Sequence, residues 1–197
     1  MLERVGIDVF LRGRRYDAVN GRPLVFHFYE TTTPAVLTSP AYRQRLNNPT
    51  PWTQKIGPHI NNNNRTLRQV VHSVGCGAGA AILTIRMVAS DIGKTIFFDG
   101  CRRNCFLLSI KPGVVAAHLL KGDKKASETE TKKKPCARSA MKFDWIIFIE
   151  AIDDKTLLKI WDDEYMSEPA LIKNGACSAS KGTYKLHFSL SPEDLIE

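Results

Sequence analysis

Long apolar runs are missing from this chain. None approaches the roughly 20 residues of a membrane-spanning helix, so a membrane role is not expected. The start, "MLERVGIDVF", lacks the extended apolar core and small-residue cleavage site of a secretory leader, and a cytoplasmic location is expected. Cysteine is scarce and irregular: Cys76, Cys101, Cys105, Cys136 and Cys177. An odd count with one C-x3-C pair and no second pair argues against a disulfide framework or a tetrahedral zinc site. No metal or other cofactor is expected. Acidic residues are the smaller charge class, 20 against 28 basic, which gives a net charge of +8. A basic balance raises nucleic acid as a partner. However, much of the excess sits in "KGDKKASETETKKKPCAR" (121–138), whose near absence of apolar residues reads as a solvated loop. Nucleic-acid binding is therefore ranked low.

What is present is enough for a core. Of 197 residues, 43% are hydrophobic, as in ordinary globular proteins. The apolar residues also recur in a pattern. "LVFHFYETTTPAVL" (24–37) aligns without a gap on "WIIFIEAIDDKTLL" (145–158), each an aromatic and β-branched strand, a polar turn and a helix start. "RTLRQVVHS" (65–73) pairs likewise with "GTYKLHFSL" (182–190), and "FLRGRRYDAV" (10–19) with "VVAAHLLKGD" (114–123). "SPAYRQRLNN" (39–48) and "DDEYMSEPALIKNG" (162–175) read as helix ends. The second half adds an alternating strand, "GAAILTIRMV" (79–88), and residues 92–111 stand where a helix belongs.

The expected fold is α+β: two ferredoxin-like (βαββαβ) repeats, residues 1–75 and 79–197. The first repeat lacks its opening strand. Its sheet edge should then be covered by another copy of the chain or by 92–111, so a homo-oligomer is expected. "GCGAGA" (75–80) opens no helix and is read as a hinge, not as a phosphate loop.

These segments resemble the dimeric α/β-barrel superfamily, in particular its EthD-like and Dabb-like bacterial members. The likeness is carried by "FLRGRRYDAV", "YETTTPAVLTSPAYRQRLNNPTPWTQKIGPH", "KPGVVAAHLL", "FDWIIFIEA" and "GTYKLHFSL". The resemblance implies that the two repeats form a pseudo-dimeric α/β barrel, their sheets pressed together around a ligand cavity. It also implies a choice among cofactor-free monooxygenases, isomerases, cyclases, haem-binding enzymes and noncatalytic stress proteins. The sequence departs from the pattern at the absent first strand, at 92–111 and at the run Asn61–Asn64.

Strand alternation then sorts the candidate site. Wholly apolar sets (Leu24, Phe26, Phe28; Trp145, Ile147, Ile149) are assigned to the helices. Mixed sets are assigned to the barrel interior. That makes His27, Tyr29 and Glu150 the candidate catalytic groups, with burial expected to raise the Glu150 pKa toward that of a base. His72, His118, His187 and Arg14 are candidate ligand contacts. The stretch "TPWTQKIGPHINNNNRT" (50–66) is read as a proline-stiffened loop. Its portion 50–60 would pack over the rim as a lid anchored by Trp52, with Trp52 and His59 as further contacts. The expected function is binding of a small organic ligand, with cofactor-free catalysis as an extension. The alternatives are a noncatalytic stress or interaction protein and, ranked lower, an RNA binder.

Overall fold

The structure, a computed structural model, describes residues 2–60, 65–89, 94–123 and 143–195. The asparagine run, Cys136 and most of the lysine-rich stretch lie outside these residues.

Seven strands form one sheet: β1 (Phe10–Asn20), β2 (Val25–Thr31), β3 (Arg68–Gly75), β4 (Ala81–Ala89), β5 (Val114–Gly122), β6 (Trp145–Ala151) and β7 (Ala176–Leu190). Their spatial order is β2-β1-β7-β4-β6-β5-β3, and every neighbouring pair is antiparallel. The long β7 joins the halves of the sheet. Ala176–Lys185 pair with β4, and Thr183–Leu190 pair with β1.

The helices are short apart from one. They are α1 (Leu2–Val5), α2 (Pro40–Asn47), α3 (Pro51–Ile56), α4 (Lys94–Ser109), α5 (Asp154–Trp161) and α6 (Glu168–Lys173). Local chemistry starts them. Ser39, Thr50 and Ser167 cap α2, α3 and α6 with a proline in the first turn, and Asp153 caps α5 through the Thr156 amide. None of the described helices is long and apolar enough to cross a membrane.

Helix α4 occupies the segment whose glycines and cysteines made it irregular in sequence. Cys101 and Cys105, four residues apart, fall on one helix face and are buried with Phe97 and Leu108. Burial pushes both thiols up to about 12, so they behave as core residues. Helix α4 lies on β3, β5 and β6 and does not cover the β2 edge, which removes one of the two covers expected for it.

Two apolar layers lie on opposite faces of the sheet. The outer layer packs Leu83, Ile85, Met87, Ile147 and Ile149 against α4, α5 and α6. The inner layer contains Tyr16, Ile82, Ile146, Phe148 and Tyr184, flanked by Phe26 and Phe28. Its contacts prove strong curvature. In a flat sheet β2 and β6 would be separated by four strand spacings, roughly 19 Å. Yet the rings of Phe26 and Phe28 lie 5.6 and 5.4 Å from that of Phe148. The sheet curls so that its inner face meets itself.

Candidate functional site on the inner face

The polar centre of the inner face also bridges distant strands. Arg14 on β1 is 4% exposed, and Glu150 on β6 is 1% exposed. Their strands are separated by β7 and β4, yet Arg14 donates from Nη1 to Glu150 Oε2 at 2.7 Å and from Nη2 to Oε1 at 2.9 Å. This paired geometry suits a guanidinium and a carboxylate. Arg14 Nη2 also donates to Glu30 Oε1 at 2.8 Å, and Arg12 donates to both Glu30 oxygens. The Arg14 guanidinium lies 4.8 Å from the centre of the Phe28 ring, joining the charged network to the aromatic layer.

The backbone completes the cradle. The Gly79 amide donates to Glu150 Oε2 at 2.7 Å. A side chain at position 79 would place its Cβ 2.5 Å from the Ala151 carbonyl oxygen, so only glycine permits this approach. Gly75, which ends β3, and Gly77 in the connection to β4 are at positive φ; this connection spans the two strands, β5 and β6, that lie between β3 and β4 in the sheet.

His118 on β5 continues the network toward the sheet edge. Its Nε2 lies 3.5 Å from Glu150 Oε1, and its Nδ1 lies 2.7 Å from the Ser73 hydroxyl on β3. His118 is half-buried and Ser73 is exposed.

Electrostatics reverse the acid–base role expected of Glu150. Burial favours the neutral acid, but hydrogen bonds from His118 and Arg14, the Arg14 charge and the Gly79 amide outweigh it. The carboxyl is held down at about 2 and stays ionised. A carboxylate so fully engaged is a poor proton acceptor. Tyr16 is pushed up to about 12 chiefly by burial, and its hydroxyl has no hydrogen-bond partner among the described residues.

The predicted residues divide sharply by place. Arg14, Glu150 and His118 come together. His27 does not: it pairs in register with Arg15, is exposed, and points away from the inner face. Tyr29 packs edge-on to Phe10 at 5.7 Å in a small cluster with Val36 and Tyr42 beneath the N-terminal helices. The face assignment of β2 was thus inverted. Phe26 and Phe28 belong to the interior, because a curled sheet needs an apolar interior as much as an apolar exterior.

His72 is displaced by a bulge. The β3–β5 register shifts between Val70 and His72, so Val70 opposes Leu120 while His72 opposes Leu119 on the outer face. His72 there lines a shallow surface depression with Asp99, Arg102 and Phe106 of α4. His187 forms an exposed pair with Asp17, Nδ1 to Oδ2 at 2.6 Å, on a face apart from Glu150.

Residues 50–59 form α3 and a following turn in place of a loop. Trp52 is 66% exposed, too open to be the apolar anchor of a lid, and His59 is exposed as well. The segment is tied down through Thr50 and Thr53, whose hydroxyls donate to Glu3. Sequence reasoning missed Ser73, Glu30 and Arg12. The parity of Arg12 with Arg14 was a usable signal; Ser73 was hidden by the bulge. Among the described residues, no group of three or more His, Cys, Asp or Glu is placed to hold a metal ion.

The curled α+β sheet has structural counterparts. An anthrone oxidase-like protein superposes with a TM-score of 0.59 at 13% identity, over 98% of this chain and 84% of that one. Two proteins described as candidate monooxygenases also match. The one from Lactobacillus acidophilus has a TM-score of 0.54 at 8% identity, over 94% and 80% of the two chains. The one from Fusobacterium nucleatum has a TM-score of 0.52 at 10% identity, over 93% and 79%. No family model matches the chain, and no curated protein matches its sequence. At these identities the likeness concerns the fold.

Proposed function

We propose that this chain is a member of the dimeric α/β-barrel superfamily built from two ferredoxin-like units, residues 1–75 and 79–197, and that it binds a small aromatic ligand on its inner face. The element order of β4 to β7, strand–helix–strand–strand–helix–strand in the spatial order β7-β4-β6-β5, supports the ferredoxin-like reading of the second unit. Candidate monooxygenases among the structural counterparts support a ligand-binding use of the fold.

The observation that carries the reading is the position of Phe26 and Phe28. They belong to the interior aromatic layer yet remain only partly buried, because β2 ends the sheet. Across from them, at the other end of the sheet, Val70 is 55% exposed and Ser73 and His118 are accessible. An aromatic ring lying on Phe26 and Phe28 would find apolar contact and a polar group within one surface.

The test is a binding titration with one- to three-ring phenols, followed by amide chemical shifts. Saturable binding should perturb Phe28, Ser73 and His118, and Phe28→Ala should weaken it about tenfold, the loss of one aromatic contact. Absence of saturable binding, or indifference to Phe28→Ala, would remove this reading. A second reading, a noncatalytic interaction protein, is favoured by the full burial of Tyr16 and Tyr184, which fill the centre of the inner layer. It would gain from the negative result.

A further inference from the structure

The chain Ser73–His118–Glu150 has the order of a nucleophile, a base and an orienting carboxylate. We propose that Ser73 is an activated nucleophile and that the inner face can transfer an acyl group from aryl esters to water. The substrate class rests on the aromatic-ligand reading above; the nucleophile does not.

Protonation follows from the partners. An ionised carboxylate can only accept hydrogen bonds, so Glu150, 3.5 Å from Nε2, favours the imidazole tautomer that carries its proton on Nε2. The lone pair of Nδ1 is then directed at the Ser73 hydroxyl, 2.7 Å away. This separation lies within the reach required of a serine and its base. Glu150 cannot swing away, because Arg14 holds both its oxygens and the Gly79 amide holds one. Glu150 is a positioning residue here; Ser73 and His118 meet the substrate. The nucleophile is also accessible: Ser73 is exposed, and the His118 side chain is 23% exposed.

The reaction closes without a further reagent. Ser73 Oγ bonds to the ester carbonyl carbon while its proton passes to His118 Nδ1. The bond to the aryl oxygen breaks, and the leaving phenolate takes that proton. Water then attacks the acyl carbon and loses a proton to His118; the bond from that carbon to Ser73 Oγ breaks, and His118 returns the proton to Oγ, releasing the carboxylic acid and the free serine. Aryl esters fit because a phenolate leaves readily and because Phe148, the register partner of His118, links it to the aromatic layer.

The experiment exposes the full chain to a small dialkyl fluorophosphate and follows intact mass and peptide mapping. The reagent carries no aromatic ring, so it probes the nucleophile alone. The expected result is one adduct, on Ser73, absent in Ser73→Ala and forming at least about 100-fold more slowly in His118→Gln, the range of general-base assistance. Glu150→Gln should lower the limiting rate of labelling while leaving the half-saturating reagent concentration unchanged. A purely structural role would not produce that split. 4-Nitrophenyl acetate should then give a burst of nitrophenolate from the wild-type chain.

No adduct, an adduct at another residue, or an undiminished rate in His118→Gln would overturn the proposal. Labelling of Ser73 without any binding of the phenols would retain the nucleophile and remove the aromatic-ligand reading. Binding of the phenols without labelling would do the reverse.

Discussion

Glu150 contributes to stability through its charge, and the sign of its pH dependence follows. Its folded pKa, about 2, lies below its ordinary value of 4.5. Its contribution is therefore full above pH 4.5 and is lost as pH falls toward 2. The size is about 3 kcal/mol, from 1.36 kcal/mol per pKa unit. Glu150→Gln should cost about 3 kcal/mol at pH 7, because it leaves buried Arg14 with only the part-exposed Glu30 as counter-charge. The double replacement Arg14→Met with Glu150→Leu should cost less than the single one, since no charge is then stranded. Urea unfolding at pH 7 and pH 3 measures both effects. At this scale the sequence already told much. The parity of β1, β5 and β6 put Arg14, His118 and Glu150 on one face. It could not tell that they touch, because residues 14 and 150 meet only through the curl of the sheet.

Among the elements, the connection between β3 and β4 is the most constrained. Gly79→Ala should destabilise the chain by about 1–3 kcal/mol, the usual cost of overpacking. The new Cβ would lie 2.5 Å from the Ala151 carbonyl and displace the amide that serves Glu150. Thermal unfolding together with the acid midpoint would register both losses. The strands were legible from their alternation, whereas α4 was expected only from its place in the repeat, because its glycines and cysteines obscure the helical period. The bulge in β3 was not legible. One extra residue leaves composition and alternation nearly unchanged while exchanging the faces of Ser73 and His72.

For the whole molecule, the direction of the strands matters. Seven antiparallel strands leave the two edges, β2 and β3, running the same way, so they cannot pair antiparallel with each other. One further strand antiparallel to both would restore alternation. Among the described residues each edge pairs on one side only, and Val25 and Val70 on them are exposed. Such edges favour association with a second chain. Sedimentation velocity should show association that grows with concentration, and Val25→Lys or Val70→Lys should reduce it. A monomer at all concentrations would show that these edges are protected by other means.

The sequence by itself determined most of the strands and, outside the bulged β3, their separation into two faces, because these depend on chemistry within a few residues. Tertiary structure decided which face is interior. On β2 both faces carry large apolar or aromatic side chains, Phe26 and Phe28 on one and Tyr29 on the other, so alternation gives no preference. The choice was made by Phe148 and Arg14, more than ten residues away from β2 along the chain, once the sheet curled far enough to bring them within contact.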